Sequence, residues 1–412
     1  MRLHFVRHGQ TPDNAERVWQ GWGGRGLSPT GRAQAALLGR RLEGRSFTRV
    51  LSSDIERVLE TSFFLPHAVE VDARWREIHV GQWASRRIAD TYAEHPEILD
   101  GIRNGEDVRI GGDGESISEF HTRIHESLRT LVDEHDEGDE VLIVSHGGVI
   151  GGLTAGVFGT RWPMSPTAPI HNTAITSFDV SSDGSLTLTR FNDDTHLDRE
   201  HVDVPEFLRD ARRLRLIRHA ASTGNATGAW EGVGGDGLSD DGRVQAAALA
   251  AWIDATVVHA SDAARAVATA KALSEDVVVD AGLRELEPGA WEGLTFEEIL
   301  ETDPQLASKV YRHREDLPRG GTGETWAGLA TRMRSTVDGI VERSDGDVTV
   351  VSHGSAIRAY LLDLMGLGWE AQPRLATMPN AALAEVLVLD GSTRLNAYGV
   401  TPWRGGVVAP GG

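Results

Sequence analysis

The feature that most constrains this chain is that it is written twice. "VRHGQTPDN" (Val6 to Asn14) returns 211 positions later as "IRHAASTGN" (Ile217 to Asn225), and the register then holds along most of the sequence. "GLSPTGRAQAALLGRRL" from Gly26 matches "GLSDDGRVQAAALAAWI" from Gly237, and "SSDIERVLET" from Ser52 matches "ASDAARAVAT" from Ala260. "WREIHVGQW" from Trp75 meets "LRELEPGAW" from Leu283, and "VLIVSHGGVI" from Val141 meets "VTVVSHGSAI" from Val348. A period near 200 residues is the size of a domain, far above the 20 to 50 residues of a stacked repeat. The 412 residues suffice for two cores. Two homologous domains in tandem are therefore expected, residues 1–203 and 204–412. Their join should fall near Val204, inside the polar, charge-mixed stretch "DDTHLDREHVDVPEFLRDARR" (Asp193 to Arg213).

Within each copy the elements alternate. A short apolar strand (Leu3 to Val6; Leu214 to Ile217) runs into the Arg-His turn, and a helix opens at Ser28 with Pro29 in its first turn, or at Ser239 with two aspartates following. A strand and a helix follow, the helix bearing Arg57. A long amphipathic helix (Glu115 to His135; Glu324 to Arg343) then leads into the almost wholly apolar strand "VLIVS" or "VTVVS". Strands that are apolar on both faces and alternate with helices belong to a parallel sheet covered on each side. The expected fold class is α/β: two three-layer α/β/α domains, each with a mostly parallel central sheet.

Composition narrows the chemistry. The chain has no cysteine, which excludes disulfides, thiolate metal sites and a thiol nucleophile. A formal charge of -20 disfavours nucleic acid as a partner. The apolar stretch "GGVIGGLTAGVFG" (Gly147 to Gly159) is too short and glycine-rich to span a bilayer, and no signal-peptide core follows Met1. A cytoplasmic location, with no membrane partner, is the default expectation.

Ligands of open α/β sheets bind beyond the carboxyl ends of the strands. There the first copy places Arg7 and His8, then Ser52 and Ser53 leading to Arg57, then His146, with Glu77 in a loop able to close over them. Two guanidinium forks suit a tetrahedral dianion, and the glycines after His146 would let helix N–H groups join. A small phosphorylated metabolite is the expected partner. Metal binding fits poorly, because two arginines face a single carboxylate. No other cofactor is called for. With no thiol and no matched Ser-His-Asp set, His8 is the best nucleophile, its neutral form favoured by Arg7. His146 and the arginines would stabilise charge on the transferring phosphoryl group, and Glu77 is the candidate proton donor to the leaving alcohol.

The order of these motifs, "RHG" after the first strand, "SSDxxR", "REI…G.W" and "VSHG", resembles the histidine phosphatase superfamily, the phosphoglycerate-mutase-like proteins. Both halves carry the resemblance. It implies that His8 and His219 accept the phosphoryl group and that Glu77 and Glu285 are the acids. It implies phosphate contacts from Arg7, Arg57 and His146 in the first domain and Arg218, Arg265 and His353 in the second, with Asn14 and Asn225 at the family's asparagine position. The implied activity is hydrolysis of small phosphomonoesters through a phosphohistidine, at two sites. Mutases of this fold resemble "RHGES.WN" at the first motif, which neither copy has; phosphoryl transfer of that kind, or one domain that binds phospho-ligands without turnover, are the competing readings.

The copies depart from each other in ways that bear on substrate choice. Ala220 replaces Gly9, which would matter if that position needs a positive φ. Glu231 stands where Gln20 does, and a carboxylate beside a phosphate pocket is unfavourable unless it faces a positive or hydroxyl-rich group. The first domain has "GQWASRR" where the second keeps "GAWEG". Histidines without a counterpart (His4, His67, His79, His95, His121, His125, His135) are expected at the surface. Trp19 and Trp22 are candidates for a substrate mouth or for rim packing.

Overall fold

A computed structural model describes residues 1–197, 208–226, 228–232, 234–235, 237–389 and 391–401. The chain divides into two compact units, Met1–Arg209 and Asp210–Arg404. The expected join at Val204 lies outside the described residues.

In the first unit the strands are β1 (Arg2–Arg7), β2 (Arg49–Ser52), β3 (Glu70–Val71), β4 (Glu140–Ser145), β5 (Ile175–Val180) and β6 (Leu186–Asp193). They lie in the order β3-β2-β4-β1-β5-β6. The β2–β3, β2–β4 and β1–β4 pairs are parallel, whereas β5 runs antiparallel to β1 and β6 antiparallel to β5. The second unit repeats this with β7 (Arg212–Arg218), β8 (Val257–Ala260), β9 (Asp276–Val279), β10 (Val348–Ser352), β11 (Leu383–Leu389) and β12 (Ser392–Val400), ordered β9-β8-β10-β7-β11-β12. Again the last two strands form an antiparallel hairpin. The α/β class stands, with a sheet that is mostly parallel and closed on one side by a hairpin.

The parallel strands cross over through helices, and the two faces of the sheet carry different apolar sets. Val6, Val50, Leu142 and Val144 point to one face, where they pack with Leu38 and Leu42 near the end of helix Pro29–Arg41 and with Val58 of helix Glu56–Ser62. Phe5 points to the other and meets Trp75 and Phe178 edge to face, at ring-centroid distances of 5.4 and 6.1 Å. Helix starts follow the expected chemistry: Ser28 and Ser239 accept from the N–H of Gly31 and Gly242, each at 3.0 Å. The long helices run over Ile117–Asp133 and Trp326–Arg343, the first opened by a capping box of Ser116 and Glu119.

One expectation is corrected, and one condition raised by the sequence is not met. His4 is no surface group: it is 3% exposed on the central strand β1, where Nδ1 meets Ser177 Oγ at 2.8 Å and Nε2 lies 3.4 Å from Glu140. Its lack of a partner in the other copy reflects a local polar solution to burial rather than exposure. Gly9 does not take a positive φ. Its N–H donates to Thr61 Oγ1 at 2.9 Å, and Ala220 N makes the same bond to Thr269 Oγ1 at 3.0 Å, with the added methyl buried in the apolar core. Among the described residues no helix is long and apolar enough to cross a membrane.

Candidate active site

At the carboxyl ends of β1, β2 and β4 the structure brings together Arg7, His8, Arg57, His146 and Glu77. Parallel pairing of β1 with β4 puts Arg7 opposite Ser145, so the residues that follow them, His8 and His146, emerge side by side. Their rings lie 5.4 Å apart, and the His219–His353 pair repeats this at 5.1 Å.

Hydrogen bonding fixes the two imidazoles in opposite tautomers. His8 Nδ1 faces the Gly9 carbonyl at 2.8 Å and must donate to it; Nε2 receives Arg57 Nε at 3.1 Å and must therefore accept. A lone pair thus sits on His8 Nε2. In His146, Nδ1 accepts from Arg57 Nη2 at 3.0 Å and Nε2 donates to Ser53 Oγ at 3.0 Å. The second site repeats the arrangement. His219 Nδ1 donates to the Ala220 carbonyl at 2.8 Å, and Nε2 accepts from Arg265 Nε at 3.2 Å. His353 lies between Arg265, at 3.3 Å, and Ser261, at 2.9 Å.

Electrostatics keeps these rings neutral. Burial, reinforced by Arg57 and Arg7, holds His8 well below the usual imidazole range, and burial with Arg218 and Arg265 does the same for His219. His146 and His353 are lowered too, first by burial. Burial also brings Arg57 down to about 10, which leaves it charged at neutral pH. It is 2% exposed and anchored by the carbonyls of Gly23, at 2.6 Å, and Gly21, at 2.8 Å. Arg265 is held by Gly234 and Gly232 in the same way.

Arg7 donates to the carbonyl of Ile170 at 2.5 Å and Arg218 to that of Met378 at 2.6 Å. Glu77 lies at the start of helix Gly147–Val157, accepting from Gly148 N at 3.0 Å and Ile78 N at 2.9 Å. Glu285 accepts from Ser355 N, Ala356 N and Leu286 N. Asn14 and Asn225 lie beside the sites, but their amide oxygens already accept, from Thr11 N at 3.1 Å and Ser222 N at 3.0 Å. Trp22 is a rim residue: 41% exposed, it donates to the Glu77 carbonyl at 2.8 Å and lies under Arg76. Trp19 instead packs against Trp83 and Tyr92 and donates to Thr91.

Residues that the motifs alone did not single out complete both sites. Asn172 donates to the His8 carbonyl at 2.9 Å, and Asn380 to that of His219 at 3.0 Å. Arg123 bridges the carbonyls of Arg74, Arg76 and Glu77 at 3.0 Å each while Glu115 holds its guanidinium from behind. Arg332 and Glu324 do the same for the loop carrying Glu285. The signal was present in the sequence as further pairs in register, readable only once a reason to look between the motifs existed.

Each unit thus gathers two arginines and two neutral histidines at the ends of its parallel strands, a set whose chemistry suits a tetrahedral anion. The sequence profile of the histidine phosphatase superfamily (branch 1) matches residues 3–194 and again 214–401, and the chain belongs to that superfamily. It is 31% identical over 214 residues to a protein named probable phosphoglycerate mutase GpmB of Salmonella choleraesuis (strain SC-B67), a match covering 50% of this chain and 96% of that one. Among solved structures it is similar to the α-ribazole phosphatase of Shigella flexneri, at 27% identity, with a TM-score of 0.42 and coverage of 47% of this chain and 97% of the other. A mycobacterial glucosyl-3-phosphoglycerate phosphatase matches at 28% identity and a TM-score of 0.39, covering 45% and 96% of the respective chains.

Proposed function

We propose that the chain hydrolyses small phosphomonoesters at two sites, through a phosphohistidine on His8 and on His219 and without a metal. The observation that carries this reading is the tautomer of each histidine: Nδ1 is committed to a carbonyl, leaving the Nε2 lone pair at the arginines. An incoming phosphate takes Arg57 and Arg7 as its counter-charges, or Arg265 and Arg218. Nε2 then attacks phosphorus, the bond to the ester oxygen breaks, and Glu77 or Glu285, as the acid, gives its proton to the leaving alkoxide. The arginines and the second histidine stabilise the equatorial oxygens. Water next attacks the phosphorus, the carboxylate takes its proton, the P–N bond breaks, and free phosphate and neutral histidine are restored. Transfer to an alcohol in place of water would make the same machinery a mutase, a second reading favoured by the name of the Salmonella relative.

The test is phosphate release from a metabolite panel in the presence of EDTA, by wild type, His8→Ala, His219→Ala and the double variant. Each single variant should lose a different subset of substrates by more than about 10³-fold, and the double variant all of them. Loss of everything in one single variant and of nothing in the other would refute the two-site reading. Isomerised phosphoester without net phosphate release would favour the mutase.

A further inference from the structure

The two domains place a carboxylate at the same edge of the pocket from different points in the chain. In the first, Asp13 supplies it and Gln20 beside it is neutral; the matched positions in the second are Gly224 and Glu231. A Cβ on Gly24 would lie 3.0 Å from both Asp13 Oδ2 and Gln20 Oε1, and one on the matched Gly235 would lie 3.0 Å from Glu231 Oε1. A side chain at Gly224 would meet Glu231 head on, with its Cβ 1.6 Å from Oε1. Glu231 therefore keeps the place of Gln20, accepting from Ser222 Oγ as Gln20 accepts from the matched Thr11 Oγ1, and also reaches into the space where the Asp13 side chain begins in the first domain. It is not simply an extra charge added to the pocket.

What differs is how the charge is neutralised. Asp13 accepts from Arg25 with both oxygens, from Nε at 2.6 Å and from the backbone N at 2.8 Å. The position matching Arg25 is an aspartate in the sequence. Among the described residues, the Glu231 side chain bonds Ser222 Oγ at 3.1 Å and lies 3.8 Å from Arg265 Nη1. That arginine is already shared among His219, His353 and the carbonyls of Gly232 and Gly234. Two more matched positions change in the same direction, His79 to Glu287 and Ala84 to Glu292, and Glu292 lies against the same loop, 3.0 Å from where a Cβ of Gly232 would stand. Next to the nucleophile, Arg218 Nε is buried without a hydrogen-bond partner among the described residues, a donor waiting for an anion. The second pocket thus offers an anion socket with an under-neutralised carboxylate at its edge.

We propose that Glu231 determines specificity in the second site, which prefers phosphomonoesters whose alcohol carries a protonated amine. An ammonium placed there pairs with Glu231 in a partly desolvated setting and releases Arg265 to the phosphate; a second negative group is repelled. In the first site Arg25 closes Asp13, so no such preference arises. This inference rests on the second site being a phosphatase site.

The test uses the full chain carrying His8→Ala, so that turnover reports the second site alone. O-phosphoethanolamine and 2-phosphoglycolate have the same number of carbons and opposite charge beyond the phosphate. The expected kcat/KM ratio favours the amine by about tenfold or more, and Glu231→Gln should bring it near unity by raising KM for the amine and lowering it for the acid. Adding Gly224→Asp to Glu231→Gln restores a carboxylate from the first domain's position and should restore the preference, which also keeps the test informative if Glu231→Gln alone folds poorly. A ratio that Glu231→Gln leaves unchanged, or equal losses on both esters, overturns the proposal while the phosphatase reading survives. If the His8→Ala protein releases phosphate from neither ester nor from p-nitrophenyl phosphate, both fail.

Discussion

His8 and His146 show how much a single hydrogen bond decides. Both are buried neutral imidazoles touching Arg57, yet one presents Nε2 as an acceptor and the other holds a proton there, because one Nδ1 faces a carbonyl and the other a guanidinium. The spacing of the motifs identified both histidines but gave no sign of their tautomers, which depend on the backbone turn at Gly9 and on Arg57 and Ser53, dozens of residues from the rings they touch. Glycine 148 is a second case. A Cβ there would lie 2.1 Å from Glu77 Oε1, whereas the second domain carries Ser355 and lets Glu285 bond to Ser355 N and Ala356 N instead. Gly148→Ala should therefore displace Glu77 and lower first-site kcat by about 10- to 100-fold with little change in thermal stability. Steady-state kinetics in a His219→Ala background, with a thermal melt alongside, would check it.

At the scale of elements, the loop that carries Glu77, the proposed acid, is held by a helix rather than by its own sequence. Arg123 reaches from helix Ile117–Asp133 to three carbonyls of that loop, those of Arg74, Arg76 and Glu77, and Glu115 locks it in place. Arg123→Met keeps much of the volume and removes the fork. First-site kcat should fall about 10- to 100-fold for alkyl phosphates, with KM nearly unchanged, but far less for p-nitrophenyl phosphate, whose leaving group departs without a proton. Equal losses on both substrates would point to general loosening instead of a misplaced acid. The parallel core strands and the opening helices were legible because their patterns are local. The hairpins β5–β6 and β11–β12 were not read, since an antiparallel edge added to a parallel sheet leaves no separate mark on the motifs. The stretches 84–114 and 295–323 showed no readable pattern, yet they fold into short helices such as Ile88–Glu94, Pro96–Arg103 and Phe296–Thr302, and distant aromatics pack on these stretches, Trp19 on Tyr92 and Trp369 on Tyr311.

For the whole molecule, duplication doubles a shared liability to acid. His8, His146, His219 and His353 are all neutral in the fold and pushed down mainly by burial, whereas in the unfolded chain each binds a proton near pH 6.5. The unfolded state therefore binds more protons below that pH, and stability, complete above about 6.5, falls as pH drops from there toward 5. Each imidazole contributes at most about 1.4 kcal/mol per pH unit. Carboxylates such as Glu140, lowered to about 2 chiefly by its bond to His4, act only at still lower pH. Urea unfolding at pH 7.5, 6.5 and 5.5 should show this decline, and a flat profile would contradict it. The sequence by itself determined the duplication, the α/β class and which arginines, histidines and glutamates gather at the strand ends, because these are fixed by periodicity and by where side chains fall along the strands. Only the tertiary structure decided which nitrogen of each histidine is available, which arginine braces the Glu77 loop, and that Glu231 reaches into the space of Asp13 without an Arg25 to neutralise it. Those outcomes depend on distances of a few ångströms and on backbone geometry, which packing sets and motif spacing does not.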